Sequence, residues 1–224
     1  MRRLEHCPGG HIYVVVPLLV STMSSTVVAQ DRPEAADRTE WKAIHKGKVA
    51  VVCGPFADAM WCHAEAVLPG QRDTVQTLLQ DVEGIADLFP RMRSMTEVAP
   101  GVMHQVLDYP FPYDDRDIVA RFVWTRTEHI DALEWASVAD TQVPTVGVRL
   151  TGAAGRFELR DGPTASTTAL AYTWRAELGP GIPDWVRPYA WRAQADEVVD
   201  GMRRGLARRS SSSTAARSTG ATGG

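Results

Sequence analysis

The 224-residue chain contains no His-Glu-x-x-His pair, no glycine-rich phosphate loop and no serine on a Gly-x-Ser-x-Gly turn. Those absences exclude the zinc-protease, P-loop and α/β-hydrolase layouts. Cysteine is scarce, with three residues. No pair of histidines accompanies them, so a zinc site of the usual spacing cannot be assembled, and no metal or cofactor is expected. No apolar run reaches the ~20 residues of a membrane-spanning helix. Basic side chains are also in deficit, 24 against 27 acidic ones. Between Gln30 and Met202 the deficit widens to 17 against 26, and so acidic a body argues against nucleic acid as a partner.

The two ends are set apart by composition. Arg2 and Arg3 precede the apolar run "IYVVVPLLV", Ile12 to Val20, and "TVVAQ" offers Val27 and Ala29 as small residues before a cut. This is the layout of a secretory signal peptide over residues 1–29, which predicts a periplasmic or secreted protein. Residues 30–46 form a polar lead-in. The last stretch, 207–224, is rich in Ser, Ala, Thr and Gly and has no apolar period, so it is expected to be disordered. One domain remains, 47–206.

Cys7 leaves with the signal, and Cys53 and Cys62 stay in "VVCGPFADAMWC". Gly54-Pro55 reads as a turn between two strands, which brings the two cysteines close across a hairpin. An even count in an oxidising compartment predicts a disulfide between them.

Along the body, "GKVAVVC" and "MWCHAEAVLP" read as strands. Val75, Leu78, Leu79, Val82, Ile85, Ala86 and Phe89 recur at helical spacing, with Gly84 as a break between two short helices. A nearly continuous series of strands follows. Its longest alternator places Leu170, Tyr172, Trp174, Ala176 and Leu178 on one face. The final apolar stripe, Trp185, Val186, Tyr189, Ala190, Ala193, Val198, Met202 and Leu206, predicts one long helix. The fold class is α+β: a curved antiparallel sheet wrapped on a long C-terminal helix, the helix-grip arrangement. One helix cannot fill such a sheet, and the gap is the place for a ligand.

The order of motifs resembles a START-type domain, in the START and polyketide-cyclase-like helix-grip superfamily (SRPBCC). "VQTLLQDVEGIADLFPRMRSMTEV" is similar to that family's paired helices and first edge strand. "YPFPYDDRDIVARF" resembles its Pro-Phe-Pro and Arg-Asp strand opening. "GRFELRDG" and "STTALAYTWRAELGPGIPDWV" resemble its last hairpin and Gly-x-Ile-Pro-x-Trp turn. The resemblance spans roughly Lys48 to Leu206. It implies a sterol, phospholipid or other hydrophobic ligand. It also implies a charged tunnel anchor where this chain has Phe122; Arg121 beside it alternates to the other face.

Candidate ligand-contacting residues are Met103, Leu107, Ile118, Phe122, Trp124, Trp135, Phe157, Tyr172, Trp174, Trp185, Tyr189 and Met202. His104 is the candidate polar group in the pocket; His45, His63 and His129 are scattered elsewhere. Asp114, Asp115 and Asp117 around Arg116 suggest a metal or acid–base cluster, but they follow a Pro-Tyr turn. Alternation sends Arg116 and Asp117 to opposite faces, so a solvated turn with a rim ion pair is expected. No catalytic residue is assigned. The expected function is an exported, monomeric carrier of a hydrophobic small molecule, with transient membrane contact. The alternatives are a cyclase- or hydrolase-type enzyme using His104, Tyr172 or Asp117, and a structural protein with a filled core.

Overall fold

The computed structural model describes residues 32–46, 49–139, 142–175 and 177–220. The expected signal peptide and Ala176 lie outside them. Among the described residues ten strands form one sheet: β1 (Lys42–Lys46), β2 (Ala50–Phe56), β3 (Ala59–Pro69), β4 (Met92–Ala99), β5 (Val102–Leu107), β6 (Arg116–Arg126), β7 (Asp131–Ser137), β8 (Val148–Arg149), β9 (Ala154–Asp161) and β10 (Thr167–Arg175). The spatial order is β1-β2-β3-β10-β9-β7-β6-β5-β4, and β8 pairs with β6 in parallel. Every other pairing is antiparallel. Helices α1 (Arg72–Gln80) and α2 (Val82–Ile85) follow β3, and α3 (Arg187–Gly220) closes the chain. This is the expected α+β helix-grip architecture.

Several boundaries differ from the sequence reading. The polar lead-in supplies the edge strand β1, antiparallel to β2. Trp41, just ahead of it, covers Gly54, whose missing side chain leaves room for the indole. The turn falls at Ala57-Asp58 rather than at Gly54-Pro55, because the β2–β3 ladder continues to Phe56↔Ala59. Cys53 thereby stands directly opposite Cys62, and the two form a disulfide. The break between α1 and α2 comes at Asp81, whose carboxylate accepts the Gly84 amide at 3.0 Å. The last helix continues past residue 206 through Gly220. Ser210, Ser211 and Ser212 bond back to carbonyls of the preceding turn, and Arg209 pairs with Asp81 at 2.6 Å.

The main core lies between α3 and the concave face of β2, β3 and β10, with α1 and α2 at one end. The buried stripe of α3 is Trp191, Ala195, Val199, Met202 and Leu206, at spacings of four and three. Gly201 and Gly205 let this helix approach closely, since a side chain at either would run into Leu88 or Leu78.

The Arg-Asp pair at the start of β6 is not a solvated rim. Arg116 is 2% exposed and Asp117 is 0% exposed. Alternation does send them to opposite faces, and each finds its own partners there. Arg116 Nε and Nη2 donate to the carbonyls of Leu178 and Pro180, at 3.0 and 2.9 Å, and Nη1 donates to Asp114 O. Its guanidinium lies 5.0 Å over the Tyr109 ring. Asp117 accepts from Arg149 Nε and Nη2 at 2.9 and 2.7 Å, from His104 Nε2 at 2.9 Å and from the Val146 amide. Burial pushes its carboxyl up, but the hydrogen bonds from Arg149 and His104 outweigh that and hold it below the ordinary carboxylate range. An isolated pair at a wet rim would be worth little. Here the low-dielectric surroundings make each missing partner costly.

Two outcomes follow from these interactions. Replacing both Cys53 and Cys62 by Ala should lower the free energy of unfolding in urea by about 2–3 kcal/mol, the loop-entropy value for a closure of this length. Asp117→Asn should cost about 2–3 kcal/mol at neutral pH, as expected for lost charge-assisted bonds. Because the folded-state carboxyl titrates below its unfolded value, its contribution is complete above about pH 4 and is lost as acid protonates it. The stability gap between wild type and Asp117→Asn should therefore shrink in acid; a gap independent of pH would contradict this account.

Candidate functional site: an aromatic-walled cavity

A cavity of about 160 Å³ lies between the concave sheet face, α2 and α3. Its strand walls are mostly positions of one parity, with Ala154 on β9 and Arg175 on β10 out of phase. On β6 they are Ile118 and Phe122, and on β5 Gln105 and Leu107. From β7 come Leu133 and Trp135, from β9 Phe157, and from β10 Tyr172 and Trp174. These positions meet because antiparallel register sets same-face residues beside one another. Phe122 is opposite Trp135, Leu133 opposite Phe157, and Phe157 opposite Tyr172.

The result is a run of aromatic rings across four strands. Phe122 and Trp135 stack with centroids 6.2 Å apart, Trp135 meets Phe157 at 5.3 Å, Phe157 meets Tyr172 at 4.6 Å, and Tyr172 meets Trp174 at 4.4 Å. Gly155 makes this run possible. It is the partner of Trp135 in the β7–β9 register, and a side chain there would occupy the space of the indole ring. The opposite wall is Ile85, Phe89, Met92 and Met95, with Ala190 and Val198 from α3.

Few polar groups reach this space. Gln194 Nε2 donates to the Tyr172 hydroxyl at 2.8 Å. Burial pushes that hydroxyl far up, and the bond from Gln194 offsets this only in part, so Tyr172 stays neutral. Arg91 Nε pairs with Glu197 at 2.9 Å across the α3 side of the cavity. Arg175 and Glu177 stand at the end of β10, and the Gln105 amide is the polar group contributed by β5. The Tyr109 ring closes the space beside Leu178. Burial pushes the Tyr109 hydroxyl up as well, against the opposing field of Arg116. Phe122, where the resemblance implies a charged anchor, presents a ring to the cavity, and the ionic groups of its lining come from other elements.

The twelve candidate ligand residues divide cleanly. Leu107, Ile118, Phe122, Trp135, Phe157, Tyr172 and Trp174 wall the cavity. Met103 and Met202 are buried without reaching it, and Trp124 packs at the margin of the main core. Trp185 and Tyr189 are 73% and 67% exposed. Trp185 precedes the first turn of α3, and Tyr189 sits nearly opposite the buried Trp191 stripe on a helix of 100° per residue. His104 is on the reverse face of the sheet, bonded to Asp117. The three groups considered for acid–base chemistry are thus separated, with Tyr172 on one face and His104 and Asp117 on the other. Gln194, Glu197 and Arg91 escaped the sequence reading. Their one signal was the pair of polar residues, three apart, that interrupts the apolar face before Val198.

No model of a known protein family matches the chain, and no curated protein matches it. Solved structures do. A STAR-related lipid transfer protein from Xanthomonas axonopodis is 19% identical with a TM-score of 0.63, over 74% of this chain and 98% of that one. Human StAR-related lipid transfer protein 5 is 13% identical with a TM-score of 0.63, over 77% and 88%. A START superfamily protein from Mycobacterium smegmatis is 11% identical with a TM-score of 0.51, over 66% and 97%. With its antiparallel sheet gripping α3 and its cavity between them, the chain has the START-like helix-grip fold.

Proposed function

We propose that the protein is a carrier that holds a hydrophobic small molecule of the lipid or sterol class in the cavity between the sheet and α3. The observation that supports this reading is the wall itself. Aromatic and aliphatic side chains make up most of the lining, and four of its polar groups are paired with one another, Gln194 with Tyr172 and Arg91 with Glu197. Such a lining favours apolar surface by roughly 25 cal/mol per Å² removed from water. Two of the solved structures with the same fold carry lipid transfer in their names, which agrees with this assignment.

Size refines the reading. A cavity of about 160 Å³ matches the roughly 150 Å³ that holds a single aromatic ring. It falls short of the ~300–1,000 Å³ of pockets that bury whole ligands. In this conformation it accepts one ring or a short stretch of acyl chain, and loading a complete lipid requires the walls to part. Export to the periplasm or the medium fits the N-terminal pattern and the Cys53–Cys62 disulfide. In that setting a soluble, monomeric carrier would move its cargo through water between membranes.

Native mass spectrometry of protein purified from its own host, followed by solvent extraction, should recover one apolar ligand per chain. Val198→Phe places a ring in the cavity from α3 and should reduce that occupancy severalfold while circular dichroism stays native. Protein that emerges empty and binds no fluorescent sterol, phospholipid or fatty-acid probe would refute the carrier reading.

A further inference from the structure

Buried polar atoms without a hydrogen-bond partner are rare in folded proteins, and each asks for an explanation. Among the described residues the side-chain atoms of this kind are Trp41 Nε1, Arg156 Nε, Trp174 Nε1, Glu177 Oε2 and Arg187 Nε. The two arginines are answered by ion pairs, Arg156 Nε with Glu158 at 2.6 Å and Arg187 Nε with Asp184 at 2.9 Å. Trp41 lies over Gly54, outside the cavity lining. Trp174 and Glu177 remain, and both line the cavity. Trp174 is 1% exposed. Tyr172 stacks on its face, with centroids 4.4 Å apart and planes at 15°. An indole N–H lies in the plane of its ring, so the free donor sits at the edge of this stack and not beneath Tyr172. Glu177 follows the end of β10. Its Oε2 occupies the space that a side chain at Gly152 would fill, and Gly152 stands in the chain between the lining residues Leu150 and Ala153. Arg175 Cζ lies beside the same glycine, but Arg175 Nη2 is turned to Asp58 at 3.6 Å.

A buried donor and a buried acceptor, both unanswered, cost stability for as long as they stay so. A bound group that accepts from Trp174 and donates to Glu177 removes that cost. A hydroxyl is the smallest group with both capacities. A ketone or an ester accepts but cannot donate, so it leaves Glu177 unmatched. A carboxylate or phosphate would face the Glu177 oxygen with acceptors only. A quaternary ammonium needs open ring faces, and Tyr172 covers one face of Trp174. Neither residue lies at the Phe122 position, so polar recognition belongs to the β10 side of the cavity. We infer that Trp174 and Glu177 form a polar subsite that receives a neutral, hydroxyl-bearing end of the cargo. The subsite rests on the carrier reading and narrows its ligand from hydrophobic molecules at large to neutral alcohols and phenols.

The test is calorimetric titration of the full chain with probes of the size of one substituted ring, which the cavity accepts. They are para-propylphenol, para-propyltoluene, which has a methyl in place of the hydroxyl, and para-propylbenzoate. Wild type should bind the phenol about tenfold more tightly than the toluene, because a site with unanswered polar atoms discriminates against the analogue that leaves them so. The benzoate should bind more weakly than the phenol. Trp174→Phe keeps a ring but removes the N–H; it should weaken the phenol about tenfold and leave the toluene unchanged. Glu177→Gln should weaken the phenol severalfold and strengthen the benzoate. The comparison of probes on wild type decides the matter even where a variant fails to fold. Equal binding of phenol and toluene overturns the subsite and leaves the carrier reading standing; it is the result expected if ordered water satisfies the two atoms. Tighter binding of the benzoate than of the phenol overturns the subsite too, and assigns the polar end to Arg175. Wild type that binds none of the probes overturns both readings.

Discussion

One helix has to cover the concave face of a ten-stranded sheet, and its buried stripe is narrow. Trp191, Ala195, Val199, Met202 and Leu206 seal α3 against β2, β3 and β10. Towards β5, β6 and β7 the same helix can present only Ala190, Gln194, Glu197 and Val198. A cylinder about 10–12 Å across is too narrow to cover so many strands, and a gap remains on that side. Strand parity then decides what the gap is made of. The strands crossing it contribute mostly alternate residues, and these include aromatics on four consecutive neighbours. The cavity is therefore a consequence of coverage geometry, and its character is a consequence of register.

The charged stretch ahead of β6 serves this arrangement without taking part in it. Arg116 sits on the cavity side but turns its guanidinium to backbone carbonyls, tying the segment before β6 to the one before α3. Asp117 sits on the reverse side and gathers Arg149, His104 and the Val146 amide, which fixes the short strand β8 against β6. Two adjacent residues of opposite charge thus act as independent anchors for two different segments. Their burial is tolerable because each group is nearly saturated with hydrogen bonds.

Much of the fold was legible in the sequence. The alternation in "STTALAYTWR" marked a strand with Leu170, Tyr172 and Trp174 on one buried face, and the Pro100-Gly101 turn marked the β4–β5 hairpin. Parity also singled out Ile118 and Phe122 on β6. Elsewhere the sequence misled for identifiable reasons. Gly54-Pro55 resembles a turn, yet Gly54 is small because Trp41 lies over it. Trp185 and Tyr189 resemble core residues, yet the helix begins two residues past Trp185 and its phase turns Tyr189 outward. His104 resembles a pocket group, but on β5 the cavity parity belongs to Gln105 and Leu107. Residue type alone did not place these side chains; the phase of the element did.

By itself the sequence determined what is local and periodic: the order of elements from β2 onward, the apolar face of the longest strands, the pairing of Cys53 with Cys62 and the separation of Arg116 from Asp117. Those depend on chain geometry with repeats of 2 and 3.6 residues, which any short window expresses. Tertiary structure alone decided how far the cavity extends, which polar groups reach it and which aromatics are left in solvent. Arg91 meets Glu197, and Gln194 meets Tyr172, across long separations in the chain. No local pattern encodes such meetings, because they depend on where one helix comes to rest on a curved sheet.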